Sequence, residues 1–154
     1  MPSNSINGIK PESPAMRQVI ITKEPVTLIG NSAILPKDLV KRLEDGRKAE
    51  LKHQLAKVSN PDSCKINPAP WHPIEGNRYQ AVFYWNEENT PEIVDQNYKT
   101  LKNQKLSMDS QITAKLIFVQ TGYFMKDEEM VGTRLNLKGL QVVHEDSDHI
   151  PGKN

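Results

Sequence analysis

Four histidines and one cysteine have the widest chemical range in this chain, and their spacing gives them little to do together. His53, His72, His144 and His149 are scattered, and Cys64 shares its Pro-rich stretch only with His72. A closed zinc site takes about four nitrogen or sulfur ligands at compatible spacing, so no metal is expected. Cys64 beside His53 or His72 lacks the third, orienting group and the oxyanion hole that nucleophilic catalysis needs. The eight glycines never assemble G-x-G-x-x-G or G-x-x-x-x-G-K, so no phosphate-cradling loop is present. Glu87, Glu88 and Glu92 gather around Thr90-Pro91 as in an ordinary polar turn. No enzyme and no cofactor are expected, which leaves binding.

One stretch has binding chemistry. Arg78-Tyr79-Gln80-Ala81-Val82-Phe83-Tyr84-Trp85 holds four of the nine aromatic residues, and Tyr98, Lys99, Lys102 and Lys105 follow with no acid among them. Flat rings stack on bases and ammonium groups neutralise phosphates, the combination that single-stranded nucleic acid requires. In a strand, Tyr79, Ala81, Phe83 and Trp85 share one face and Arg78, Gln80, Val82 and Tyr84 the other. One face must be core, so Tyr84, or Trp85 at the strand end, is the ring expected in solvent. The candidate contacts are Arg78, Tyr84, Trp85, Tyr98, Lys99, Lys102, Lys105, Lys115, Arg134 and Lys138.

The elements that position these residues must come from 154 residues, 36% hydrophobic and 25% charged, which is one lean domain. Eleven prolines favour turns over a long helical bundle. No apolar run approaches the roughly 18 residues of a membrane span, and the polar start has no signal-peptide core. With a lone cysteine besides, a soluble cytoplasmic protein without membrane contact is expected. Net charge is only +1, but it is unevenly placed: +4 over residues 1–60, −4 over 61–96, +3 over 97–141 and −2 over 142–154. With a pI of about 7.8, any nucleic-acid contact must be a local patch rather than a global basic signature.

Residues 1–15 read as a disordered tail, 16–143 as a single domain, and 144–154 as a weakly acidic flexible tail. Short β-branched runs at 19–21 and 26–29 are split by Pro25, which cannot sit inside a central strand. Leu39, Val40, Leu43, Leu51, Leu55 and Val58 recur at helical spacing, with Asp38 near the start and Gly46 weakening the middle, which leaves one helix or two shorter ones open. Its lysines and arginines fit a solvated face. Residues 59–77, with four prolines, read as a long loop. Ile112–Val119 and Arg134–Val143 alternate as a hairpin whose polar tip is Lys126–Glu129. The economical architecture is mostly β: a small antiparallel barrel with one inserted helical region.

Two segments carry a family resemblance: Thr90-Pro-Glu-Ile-Val-Asp-Gln-Asn97, and the hairpin ending in Gly132, Leu137, Leu140, Gln141 and Val143. Over residues 78–143 the chain resembles the single-stranded DNA-binding proteins of tailed bacteriophages, a group with the oligonucleotide/oligosaccharide-binding (OB) fold. The resemblance implies an OB-like barrel that coats single-stranded DNA in phage replication and recombination, in the host cytoplasm. It also implies replication proteins as partners through the C-terminal tail, where Glu145, Asp146 and Asp148 are diluted by Lys153. A second copy of the chain is a further candidate partner, and stacking alone does not separate RNA from DNA. The alternative is a structural or protein-interaction barrel of a virion assembly, anchored by Trp71 in the Pro-rich loop.

Overall fold

The computed structural model describes residues 18–88, 90–102 and 105–142; the two expected tails lie outside them. In chain order the elements are β1 (Ile20–Ile21), β2 (Val26–Ile29), β3 (Ser32–Pro36), α1 (Lys37–Leu55), β4 (Lys65–Ile66), β5 (Trp71–Ile74), β6 (Arg78–Tyr84), β7 (Glu92–Val94), β8 (Gln111–Met125) and β9 (Met130–Val142). Strands β2, β3, β6, β9 and β8 close on one another into a ring, so the five ring strands, counted along the chain, neighbour in the order 1-2-3-5-4-1. This is the expected OB-like barrel, with its helix inserted between the second and third ring strands.

The barrel is mixed rather than wholly antiparallel. β6 runs parallel to β9 at Phe83–Leu135 and Tyr84–Asn136, whereas the other four ring junctions are antiparallel. The same edge of β9 also takes β4 at Met130–Val131 and β7 at Gly139–Gln141, both parallel. Chain neighbours favour antiparallel hairpins, but this closure joins strands about fifty residues apart, which no local signal reports.

Inside, Leu28, Leu35, Leu43, Phe83, Leu116, Phe118, Leu135 and Leu140 are fully buried. Phe83 and Phe118 meet edge-to-face, centroids 5.1 Å apart, a favoured aromatic geometry. Pro25 does interrupt the first strand: β1 and β2 pair separately along the same edge of β8. Thr22 bridges the break, donating its amide to the Leu116 carbonyl (3.0 Å) while its hydroxyl accepts the Leu116 amide (3.0 Å).

One open choice is settled and two sequence expectations change. The helix is a single element, unbroken at Gly46. A methyl there would sit 3.2 Å from Gln120 Nε2, which donates to the Leu43 carbonyl at 3.0 Å; the missing side chain lets helix and sheet close up. Residues 59–77 are not a free loop, because β4 and β5 lie within them. Pro73 is tolerated in β5 since that strand pairs only with β6 among the described residues, leaving no partner for the missing N–H. Trp71 lies over Ala81 in the core, 7% exposed, so it cannot serve as a surface anchor. Leu39, Val40 and Leu43 are the α1 residues buried in the core. Leu43→Ala is expected to lower the unfolding free energy by about 2–5 kcal/mol, read as a lower urea midpoint with an unchanged slope.

Candidate nucleic-acid interface

The interface begins at a two-residue turn. β2 and β3 are joined through Gly30-Asn31, with Gly30 at φ +62°, a positive φ that favours glycine at the first position of a tight hairpin. The Gly30 amide donates to the Ser110 carbonyl at 2.9 Å, and a methyl on Gly30 would lie 3.0 Å from the Met108 carbonyl oxygen. The segment 105–110 is thereby held against the turn. Leu106 is buried beneath it, and Ser110 Oγ accepts the Ser107 amide at 2.9 Å. Between this segment, the turn and the end of β6 opens a cleft of about 670 Å³, lined in part by Tyr84, Trp85, Glu87, Lys105 and Asp109.

Tyr84 points outward by strand alternation and is 44% exposed, while Trp85 is half-buried and packs on the core. The expectation that Tyr84 or Trp85 reaches solvent thus falls on Tyr84. Its ring lies under the Arg134 guanidinium, 4.4 Å from Cζ to the centroid, and Arg134 also faces the Tyr123 ring at 4.8 Å. A guanidinium on a ring face is an electrostatic and dispersive contact of about 0.5–1 kcal/mol in exposed settings.

Tyr123 was not among the candidates, nor were the two residues that hold it. Asn67 Nδ2 donates to the Tyr123 hydroxyl at 2.6 Å. Arg47, reaching from α1, donates to the Asn67 carbonyl at 2.5 Å and to Thr133 Oγ1 at 2.9 Å. Burial lowers the Arg47 pKa from the ordinary guanidinium value, with neighbouring Tyr123 acting in the opposite sense; a guanidinium nonetheless stays charged. The signal available in sequence was the hairpin tip. With Lys126–Glu129 as the turn, Tyr123 falls opposite Gly132, a ring over a bare backbone.

Of the ten candidates, the structure brings Tyr84, Trp85 and Lys105 to the cleft and Arg134 to its edge through Tyr84. Arg78 is exposed at the far end of β6, donating Nε to the Glu75 carbonyl at 3.3 Å, about 20 Å from Tyr84 at strand rise. Tyr98, Lys99 and Lys102 are exposed on the turn after β7, which Asp95 organises by accepting the Asn97 and Lys99 amides at 2.8 and 3.0 Å. Lys115 is half-buried on the outer face of β8, opposite Gln141, and Lys138 is exposed beside the register shift at Ile117–Phe118. None of these six lines the cleft. A methyl on Gly132 would lie 2.6 Å from Tyr123 Cζ. Gly132→Ala is therefore expected to push the ring off Arg134 and cost about 1–3 kcal/mol of stability; Tyr123 ring resonances identical to those of the parent protein would contradict this.

No family profile and no curated protein matches the sequence. In structure, the chain is similar to gp2.5, a single-stranded DNA binding protein encoded by bacteriophage T7. The TM-score is 0.55 at 11% identity, over 90% of this chain and 97% of that one. At that identity the likeness is one of fold, and it extends across nearly the whole chain: the barrel that the sequence resemblance implied is the barrel found.

Proposed function

We propose that this chain binds single-stranded DNA without reading its sequence, in phage-type replication or recombination in the host cytoplasm, and that it does so without catalysis. The observation that carries the reading is the exposed Tyr84 ring, set between the Arg134 guanidinium and a cleft it shares with Trp85 and Lys105. The surface of the second and third strands of an OB barrel, with its adjoining loops, is where such folds take oligonucleotides; Tyr84 ends the third ring strand and the Gly30-Asn31 turn joins the first two. The fold shared with a phage single-stranded DNA binding protein points the same way.

Charges in the cleft assign the parts. Lys105 shares the cleft lining with Glu87 and Asp109, so the cleft is not a phosphate channel by itself. Phosphates belong at Lys105 and Arg134, and bases belong against Tyr84 and Trp85, whose ring faces stack without regard to base identity. Outside the cleft, the exposed Lys99, Lys102 and Lys138 offer further cations and Tyr98 a further ring, and a duplex offers no free base face to the rings.

The test is titration of labelled oligo-dT and of a duplex at several ionic strengths. Oligo-dT is expected to bind and the duplex to bind far more weakly. Affinity should fall as salt rises, with a log–log slope of about −0.7 per neutralised phosphate. Tyr84→Ala should weaken binding by about 1–3 kcal/mol at any salt, whereas Lys105→Ala should flatten the slope by about 0.7. Oligo-dT affinity indifferent to salt would overturn the reading.

A further inference from the structure

Tyr84, Arg134 and Tyr123 stand on three neighbouring strands, β6, β9 and β8, with the arginine on the middle one. Tyr84 pairs with Asn136 and Tyr123 with Gly132, so the two tyrosines flank position 134 from opposite sides along a diagonal of the sheet. The guanidinium carbon is 4.4 Å from one ring centroid and 4.8 Å from the other. A guanidinium is planar, delocalised and weakly hydrated, and so resembles a small base in what it offers to a ring face. Stacked aromatic groups keep their centroids about 4.5–7 Å apart. A base replacing the guanidinium would therefore meet both rings at stacking distance.

The filling is held less firmly than the wall. Tyr123 is tied through its hydroxyl to Asn67, Asn67 is tied to Arg47 on the helix, and Gly132 clears the space in which the ring lies. Among the described residues, the Arg134 guanidinium forms no hydrogen bond or ion pair; ring faces alone hold it. We infer that the gap between Tyr84 and Tyr123 is a nucleobase slot, filled by Arg134 in the free protein and vacated when a base enters. This inference rests on the reading of the chain as a single-stranded nucleic acid binder. The displaced guanidinium exchanges its ring contacts for a charge-assisted, two-pronged contact with a phosphate of the incoming strand. Entry of a base and capture of a phosphate are then one event. A sugar-phosphate strand without bases has nothing to put in the slot and leaves Arg134 where it is.

The test follows the Arg134 Nε–Hε resonance in ¹⁵N-labelled full-length protein, assigned by its loss in Arg134→Lys. In the free protein it should be shifted upfield by the two ring currents. Saturating oligo-dT is expected to move it downfield, out of the ring-current range, while an abasic oligomer of the same length leaves it in place and binds roughly tenfold or more weakly. A resonance still ring-shifted at oligo-dT saturation, or moved equally by the abasic strand, overturns the slot while leaving strand binding intact. Failure of oligo-dT to bind at low salt overturns the preceding reading, and this inference with it.

Discussion

One strand orders everything near the candidate interface. Along one edge β9 is bonded to β8 nearly from end to end, and along the other it takes β4, β6 and β7 in turn, all parallel to it. Three of these four bring a component within reach of position 134: β8 brings Tyr123, β6 brings Tyr84, and the residue after β4 is Asn67. A parallel strand cannot be added by a short hairpin, so each had to be delivered by a separate excursion of the chain. The cleft depends on the same arrangement, because it opens where β6 leaves the sheet after Tyr84.

Apolar burial and polar tethering divide the labour across this frame. Inward residues of the ring strands fill the barrel. The helix caps the part of the hairpin that extends past the ring: Gln120 bonds the Leu43 carbonyl, and Glu50 accepts the Gly122 amide at 3.0 Å. Arg47 carries this attachment outward, from α1 to Asn67 and so to the Tyr123 hydroxyl. A helix that reads in sequence as a solvated basic face thus sends one of its cations inward, as a brace for a surface ring.

What could be read from the sequence was local. Alternation over 78–85 separated the two faces of the strand while leaving open whether Tyr84 or Trp85 meets solvent, and the hairpin of β8 and β9 followed from its period and polar tip. The one helix followed from Leu39, Val40 and Leu43, although Leu51 and Leu55 are only half-buried and Gln54 takes a buried place between them. What could not be read was pairing at a distance. Four prolines made 59–77 look like a loop, but Pro73 occupies an edge strand where its missing donor costs nothing. The lysines share a residue type and lie close in sequence; their separation from Tyr84 is a matter of strand rise and of which edge of β9 each element joins. Tyr123 needed the register of the hairpin, not its composition, to be noticed.

The parallel junction between β6 and β9 has a kinetic meaning. The hairpin of β8 and β9 is built from near neighbours, whereas that junction encloses a chain segment of about fifty residues and must form after a costly excursion. Tyr84 and Arg134 sit on opposite sides of this seam. A molecule whose seam has parted would retain its hairpin and much of its helix yet own no complete interface, so ligand recognition doubles as a gauge of whether the ring is shut.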